Sequence, residues 1–137
     1  MIILGVDYGK KRIGLAVSDP LGIAAHGLDT IESQGVEGDA AAVAKLAREQ
    51  EDEEIVVGLP VNMDGTEGPQ AEVCRDFADK LRARAQRPVH LVDERMSSQR
   101  AEKALADAGL NWRKRKKKVD RMAAQFILES HLQTRRM

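Results

Sequence analysis

Four acids could do chemistry together. Asp7 closes a short apolar run, the neighbours Asp93 and Glu94 close another, and Asp120 opens an amphipathic stretch. Each is expected at the end of an element, where side chains from distant parts of a chain converge. Three carboxylates within a few ångströms of one another repel and raise each other's pKa unless divalent cations fill the gap. Hard oxygen ligands suit Mg²⁺ or Mn²⁺. Two such ions roughly 3.5–4 Å apart can activate water and stabilise the leaving oxygen of a phosphodiester. That reaction needs neither imidazole nor thiol, which matches a chain with three histidines and one cysteine.

The positioning elements can be read in order. Ile2-Ile3-Leu4-Gly5-Val6 is too short to span a membrane and suits a strand buried on both faces, ended by Asp7. Burying an unpaired carboxylate costs several kcal/mol, so Asp7 belongs at the sheet's rim. Ile13 to Ser18 is a second run, too close for a crossover helix, so the two form an antiparallel hairpin. Gly5, Gly9 and Gly14 leave open backbone beside Asp7. A Pro20–Gly22 turn leads to a third strand over Ala24–Ile31. Asp39 can cap a helix in which Ala42, Val43, Leu46 and Ala47 share a face.

An acidic cluster then leads to a buried strand, Ile55–Gly58. Leu59–Thr66 is a loop, and helix resumes at Gly68-Pro69 with Cys74, Phe77, Ala78, Leu81 and Ala85 at helical spacing. Pro88 stops it, and Val89–Val92 is a strand ending in Asp93 and Glu94. Ser97 or Ser98 can cap a further helix ended by Gly109. The last helix carries Val119, Met122, Ala123, Phe126, Ile127 and Ser130 on one stripe, with Asp120 beside it in the first turn. The expected class is α/β: a mixed five-stranded sheet, three antiparallel strands then parallel strands, flanked by helices. Residues 1–137 form one domain, with no repeat and no interdomain linker.

Net charge is zero, yet residues 1–111 hold 13 Lys/Arg against 20 Asp/Glu, and residues 112–137 hold 9 against 2. A localised anion-binding surface is expected. Its centre is Arg113, Lys114, Arg115, Lys116, Lys117 and Lys118, which suit nucleic-acid phosphates, with Trp112 either stacking on a base or in the core. Such a run is more often a solvated tail, but this one lies between two structured elements and directly precedes Asp120. Cys74 stands alone, so no disulfide forms and a reducing cytoplasm fits. No basic-then-apolar leader and no membrane-length apolar run are present in the sequence.

Four motifs in order carry a resemblance over essentially the whole chain. They are Val6-Asp7-Tyr8-Gly9 with Ile13-Gly14-Leu15-Ala16, Val57-Gly58-Leu59-Pro60 with Asn62-Met63-Asp64-Gly65-Thr66, Asp93-Glu94-Arg95, and Val119-Asp120 with Ala123-Ala124. Together they resemble the YqgF/RuvX family. The resemblance implies a ribonuclease H-like fold related to the RuvC resolvases. It implies a nuclease that either matures the 5′ end of pre-16S ribosomal RNA or resolves Holliday junctions. By position it makes Asp7, one acid of the pair Asp93 and Glu94, and Asp120 the metal-binding catalytic acids. A strand sends successive side chains to opposite faces, so at most one of the pair reaches the metals; Glu94, with the longer reach, is favoured. The partner is then structured RNA or branched DNA. A homodimer is required only for junction resolution, where two opposed strands are cut.

Two rival classes fit the residues less well. Asp-x-Gly before a hairpin also resembles the phosphate loop of actin-like ATPases, but those close two lobes on a nucleotide and 137 residues supply one. A nucleic-acid-binding module without catalysis would not need acids at all three positions.

Overall fold

The computed structural model describes residues 1–62, 64–93 and 122–133. Five strands form one sheet: β1 (Ile3–Tyr8), β2 (Arg12–Ser18), β3 (Ala25–Glu32), β4 (Glu54–Leu59) and β5 (Val89–Asp93). Helix α1 (Val36–Glu49) joins β3 to β4, and α2 (Pro69–Ala85) joins β4 to β5. Residues 122–133 are helical and are called α3. The strand order is β3-β2-β1-β4-β5. The β1–β2 and β2–β3 pairs are antiparallel, and β1–β4 and β4–β5 are parallel. The expected mixed five-stranded sheet is therefore present.

The pleat sorts side chains onto two faces. Leu4, Val6, Tyr8, Ile13, Leu15, Ile55 and Val57 pack with α1 and α2 around Phe77 and Leu81. Ile3, Ala16 and Val56 pack with Ala124, Ile127, Leu128 and Leu132 of α3 on the other face. β4 is buried along its whole length because helices cover both faces, which explains its unbroken apolar run. Pro69 opens α2, where its missing N–H costs nothing. Gln86, in the left-handed region at φ 55°, closes it before Pro88.

Two expectations need correction. Asp7 does not end β1; it lies inside the strand, paired with Gly14, and Tyr8 follows as the last strand residue. Asp39 does not cap α1 from outside. The helix begins at Val36 after Gly35, and Asp39 sits within its first turn, 1% exposed. No described helix is long and apolar enough to cross a membrane.

Candidate active site

Asp7 is the first expected acid to be placed. Along β1, Leu4, Val6 and Tyr8 face the α1–α2 side. Ile3 and Gly5 face α3, and Asp7, two residues beyond Gly5, shares their face. Asp7 is partly buried and stands opposite Gly14 of β2, which has no side chain to crowd it.

Helix α3 packs along the same face of β1. Ala124 and Leu128 pack on Gly5. Further along the helix, His131 Nε2 lies 3.8 Å from Glu54 Oε2, and Glu54 is level with Ile3. Passing from 124 to 131 thus moves back from Gly5 towards Ile3. The helix runs antiparallel to β1, and its N-terminal end is directed towards Asp7. A Cβ at Gly5 would lie 2.9 Å from Leu128 Cβ and 3.1 Å from the Ala124 carbonyl oxygen. Only a bare backbone lets the helix sit this close to the strand.

Asp93 is the second expected acid among the described residues. Val89 and Leu91 belong to the α1–α2 side and Val92 to the α3 side. By the alternation of β5, Asp93 falls on the α1–α2 side, opposite to Asp7. The register makes Val6, Val57 and Leu91 level, so Asp93 also stands one residue further along than Asp7. The structure does not bring Asp7 and Asp93 onto one face. Among the described residues no trio of His, Cys, Asp or Glu side chains is gathered to hold a metal ion. Glu94, Asp120, Trp112 and the cations Arg113, Lys114, Arg115, Lys116, Lys117 and Lys118 lie outside the described residues, as does the helix expected between Ser97 and Gly109.

The loop after β4 flanks the same end of the sheet. It closes on itself: Asn62 N–H donates to the Thr66 carbonyl at 2.8 Å, and Gly65 N–H to the Asn62 carbonyl at 2.8 Å. Asp64 Oδ1 accepts from Thr66 N–H at 2.9 Å and Thr66 Oγ1 at 2.6 Å. Those two bonds, the hydroxyl's first, hold the Asp64 carboxyl below its ordinary pKa. Gly65 adopts φ 90°, which an L side chain would strain.

Sequence reasoning missed the residues behind Asp7. Tyr8 Oη donates to Asp39 Oδ2 at 2.6 Å, Ser33 Oγ donates to the same oxygen at 2.5 Å, and Gln34 N–H donates to Asp39 Oδ1 at 2.8 Å. Burial, then the bond to Asp39, raises the Tyr8 phenol well above its ordinary pKa, so it stays a donor. The Tyr8 ring stacks on Phe77 with centroids 4.0 Å apart and planes at 6°. The sequence offered Asp39 only as a helix cap, ahead of the run Ala40-Ala41-Ala42. Its partner lay 31 positions away, beyond the reach of any local pattern.

At the opposite end of the sheet Glu54 lies 3.8 Å from both His90 Nε2 and His131 Nε2. The two imidazoles stack at 5.6 Å. The group ties α3 to β4 and β5, which supports a structural reading of these two histidines.

Known proteins share this chain's pattern along its length. It matches the family described as "RuvX: Holliday junction resolvase" over residues 1–134. A protein of Moorella thermoacetica is 47% identical over 132 residues, covering 96% of this chain and 94% of its own length. One of Myxococcus xanthus is 44% identical over 136 residues, covering 99% and 90%. Both carry the name "Putative pre-16S rRNA nuclease". Among solved structures, Thermus thermophilus RuvC in complex with a Holliday junction substrate superposes with TM-score 0.63 at 17% identity, covering 99% of this chain and 96% of that one. The Fowlpox virus resolvase in complex with Holliday junction DNA gives 0.55 at 16%, covering 98% of each chain. Those two likenesses make the fold RNase H-like. The chain belongs to the RuvX family.

Proposed function

We propose that the protein is a divalent-metal-dependent nuclease that processes the 5′ end of pre-16S ribosomal RNA. The name shared by its relatives supports the substrate. The observation that carries the chemistry is the aim of α3. Its N-terminal end is directed at Asp7, and Asp120 lies two residues upstream of Met122 in the sequence. Glu94 is the preferred third acid, because Asp93 falls on the face opposite to Asp7 and Glu94 has the longer reach.

Oxygen donors alone suit Mg²⁺ or Mn²⁺, and the donor chemistry of Asp7, Glu94 and Asp120 fits two such ions. Bound there, the ions would supply a water nucleophile and charge stabilisation for the leaving oxygen. Asp7, Glu94 and Asp120 would hold them. Gly14, opposite Asp7, adds no side chain of its own beside the carboxylate. The cations Arg113 to Lys118 would bind phosphates on either side of the cut, and Trp112 would stack on a base.

Resolution of Holliday junctions is the second reading. The family description and the junctions bound by the two structural neighbours favour it. It would require a symmetric homodimer. Deleting the gene and mapping 16S 5′ ends separates the two. Accumulated 5′-extended 16S RNA with normal recombination supports processing, and mature ends with defective recombination support resolution.

A further inference from the structure

We infer that Tyr8 is a positioning residue for Asp7, held by Asp39 so that the carboxylate on the other face of β1 keeps its place. The inference rests on Asp7 binding metal as proposed above.

The pairing of β1 changes at its end. Register pairs with β2 continue to Asp7↔Gly14 and Tyr8↔Ile13, but those with β4 stop at Val6↔Val57. The candidate ligand therefore stands beyond the point where β1 is paired on both sides. The chain turns back at once, with Gly9 N–H donating to the Arg12 carbonyl at 3.1 Å.

Tyr8 is held from three directions. Its hydroxyl is bound to Asp39 on α1, and Asp39 is itself fixed by Ser33 and by the Gln34 N–H. Its ring lies flat on Phe77 of α2. Its carbonyl accepts from Gln70 Nε2 at 3.1 Å and from Cys74 Sγ at 3.7 Å, both on α2. Tyr8 is 5% exposed and Asp39 1%. Asp7 and Tyr8 share one peptide plane, so holding Tyr8 on one face restrains the backbone from which Asp7 projects on the other.

Packing alone does not call for this arrangement. A phenylalanine would fill the same space against Phe77 without burying a hydroxyl and a carboxylate. Desolvating such a pair is costly, and replacing both by apolar groups is often neutral for stability. What a directional bond adds over an apolar contact is a fixed position. Ligand sites need their side chains held within about 0.5 Å, and a misplacement of about 1 Å can cost roughly 10²-fold in rate.

The test is Mn²⁺ binding, measured by calorimetry and by the spin-resonance signal of free Mn²⁺, on Tyr8→Phe, Val43→Ala and Asp7→Asn. Turnover of a 5′-extended 16S RNA fragment is measured alongside. Val43 is a buried α1 residue that serves as the control for lost stability. Tyr8→Phe should weaken Mn²⁺ binding about tenfold and lower kcat with KM for RNA unchanged. Val43→Ala should lower the thermal midpoint at least as far while binding Mn²⁺ normally. Wild-type Mn²⁺ affinity in Tyr8→Phe, or equal weakening in Val43→Ala, overturns the positioning role. If Asp7→Asn also binds Mn²⁺ like the wild type, the metal site itself falls. If Asp7→Asn loses Mn²⁺ and Tyr8→Phe does not, only the role of Tyr8 falls.

Discussion

Gly5 of β1 and Leu128 of α3 meet so closely that a Cβ on Gly5 would stand 2.9 Å from the Cβ of Leu128. Gly5 is two residues before Asp7 on the same face of the strand, and α3 is the helix directed at Asp7. Gly5→Ala should push α3 off the sheet. Overpacking of this kind costs about 1–3 kcal/mol. Cleavage should fall further than stability explains, because the helix carries its N-terminal end away from β1. Thermal unfolding and cleavage on one sample check this. Unchanged unfolding would show that the sheet yields at no cost.

Asp52 makes stability depend on pH. It is 0% exposed, and among the described residues neither carboxylate oxygen has a hydrogen-bond partner. Burial lifts its pKa to about 6, against a smaller opposing pull from the Arg87 guanidinium. A raised carboxylate pKa means the native state favours the protonated form. The contribution is fully present below the ordinary value of 3.8 and is lost as pH rises through about 6. Asp52→Asn should therefore gain stability over the wild type between pH 5 and 7.5. Each pKa unit is worth about 1.4 kcal/mol, and screening reduces the sum, so a gain of about 1–2 kcal/mol is expected at pH 7.5. Denaturant unfolding at the two pH values tests it; a gain independent of pH would rule out charge burial as the cause.

Asp93, the last residue of β5, falls on the face opposite to Asp7, so the acids Asp93 and Glu94 should differ in effect. Glu94→Gln should abolish most metal-dependent cleavage, while Asp93→Asn should keep most of it, since Asp93 alternates onto the α1–α2 side. An inactive, fully folded Asp93→Asn beside an active Glu94→Gln would reverse the assignment.

The run Arg113–Lys118 should bind without reading sequence. Replacing Lys114, Lys116 and Lys117 with Ala should weaken binding to all substrates. The salt slope should flatten by roughly 0.7–0.9 for each phosphate that the variant no longer neutralises. Affinity and slope that match the wild type would make the run a solvated loop.

Much of the scaffold was legible because its patterns are local. The hairpin followed from two apolar runs close together in the chain, and β4 from an unbroken apolar run. Asp7 was legible as an acid at a strand's rim, although the strand runs one residue further than its apolar pattern. The support behind it was not. Tyr8 and Asp39 meet across 31 residues, and a buried Tyr–Asp bond leaves no periodic trace. Nor did the sequence show that Gly5 is the contact for α3, since Leu128 lies far along the chain and close approach is a tertiary property. The face of Asp93 followed only once the sides on which Val89, Leu91 and Val92 pack were known.

Whether Asp7 serves catalysis or only the turn is decided by removing its charge. Asp7→Asn keeps the size of the side chain and changes little else. Cleavage of a 5′-extended 16S RNA fragment in Mn²⁺, measured per folded molecule, is the direct measurement. Loss of a metal ligand should lower the rate by orders of magnitude, about 10²-fold or more, with the thermal midpoint in EDTA unchanged or raised as carboxylate repulsion is relieved. A variant that unfolds earlier yet cuts at the wild-type rate would contradict the metal-binding role of Asp7.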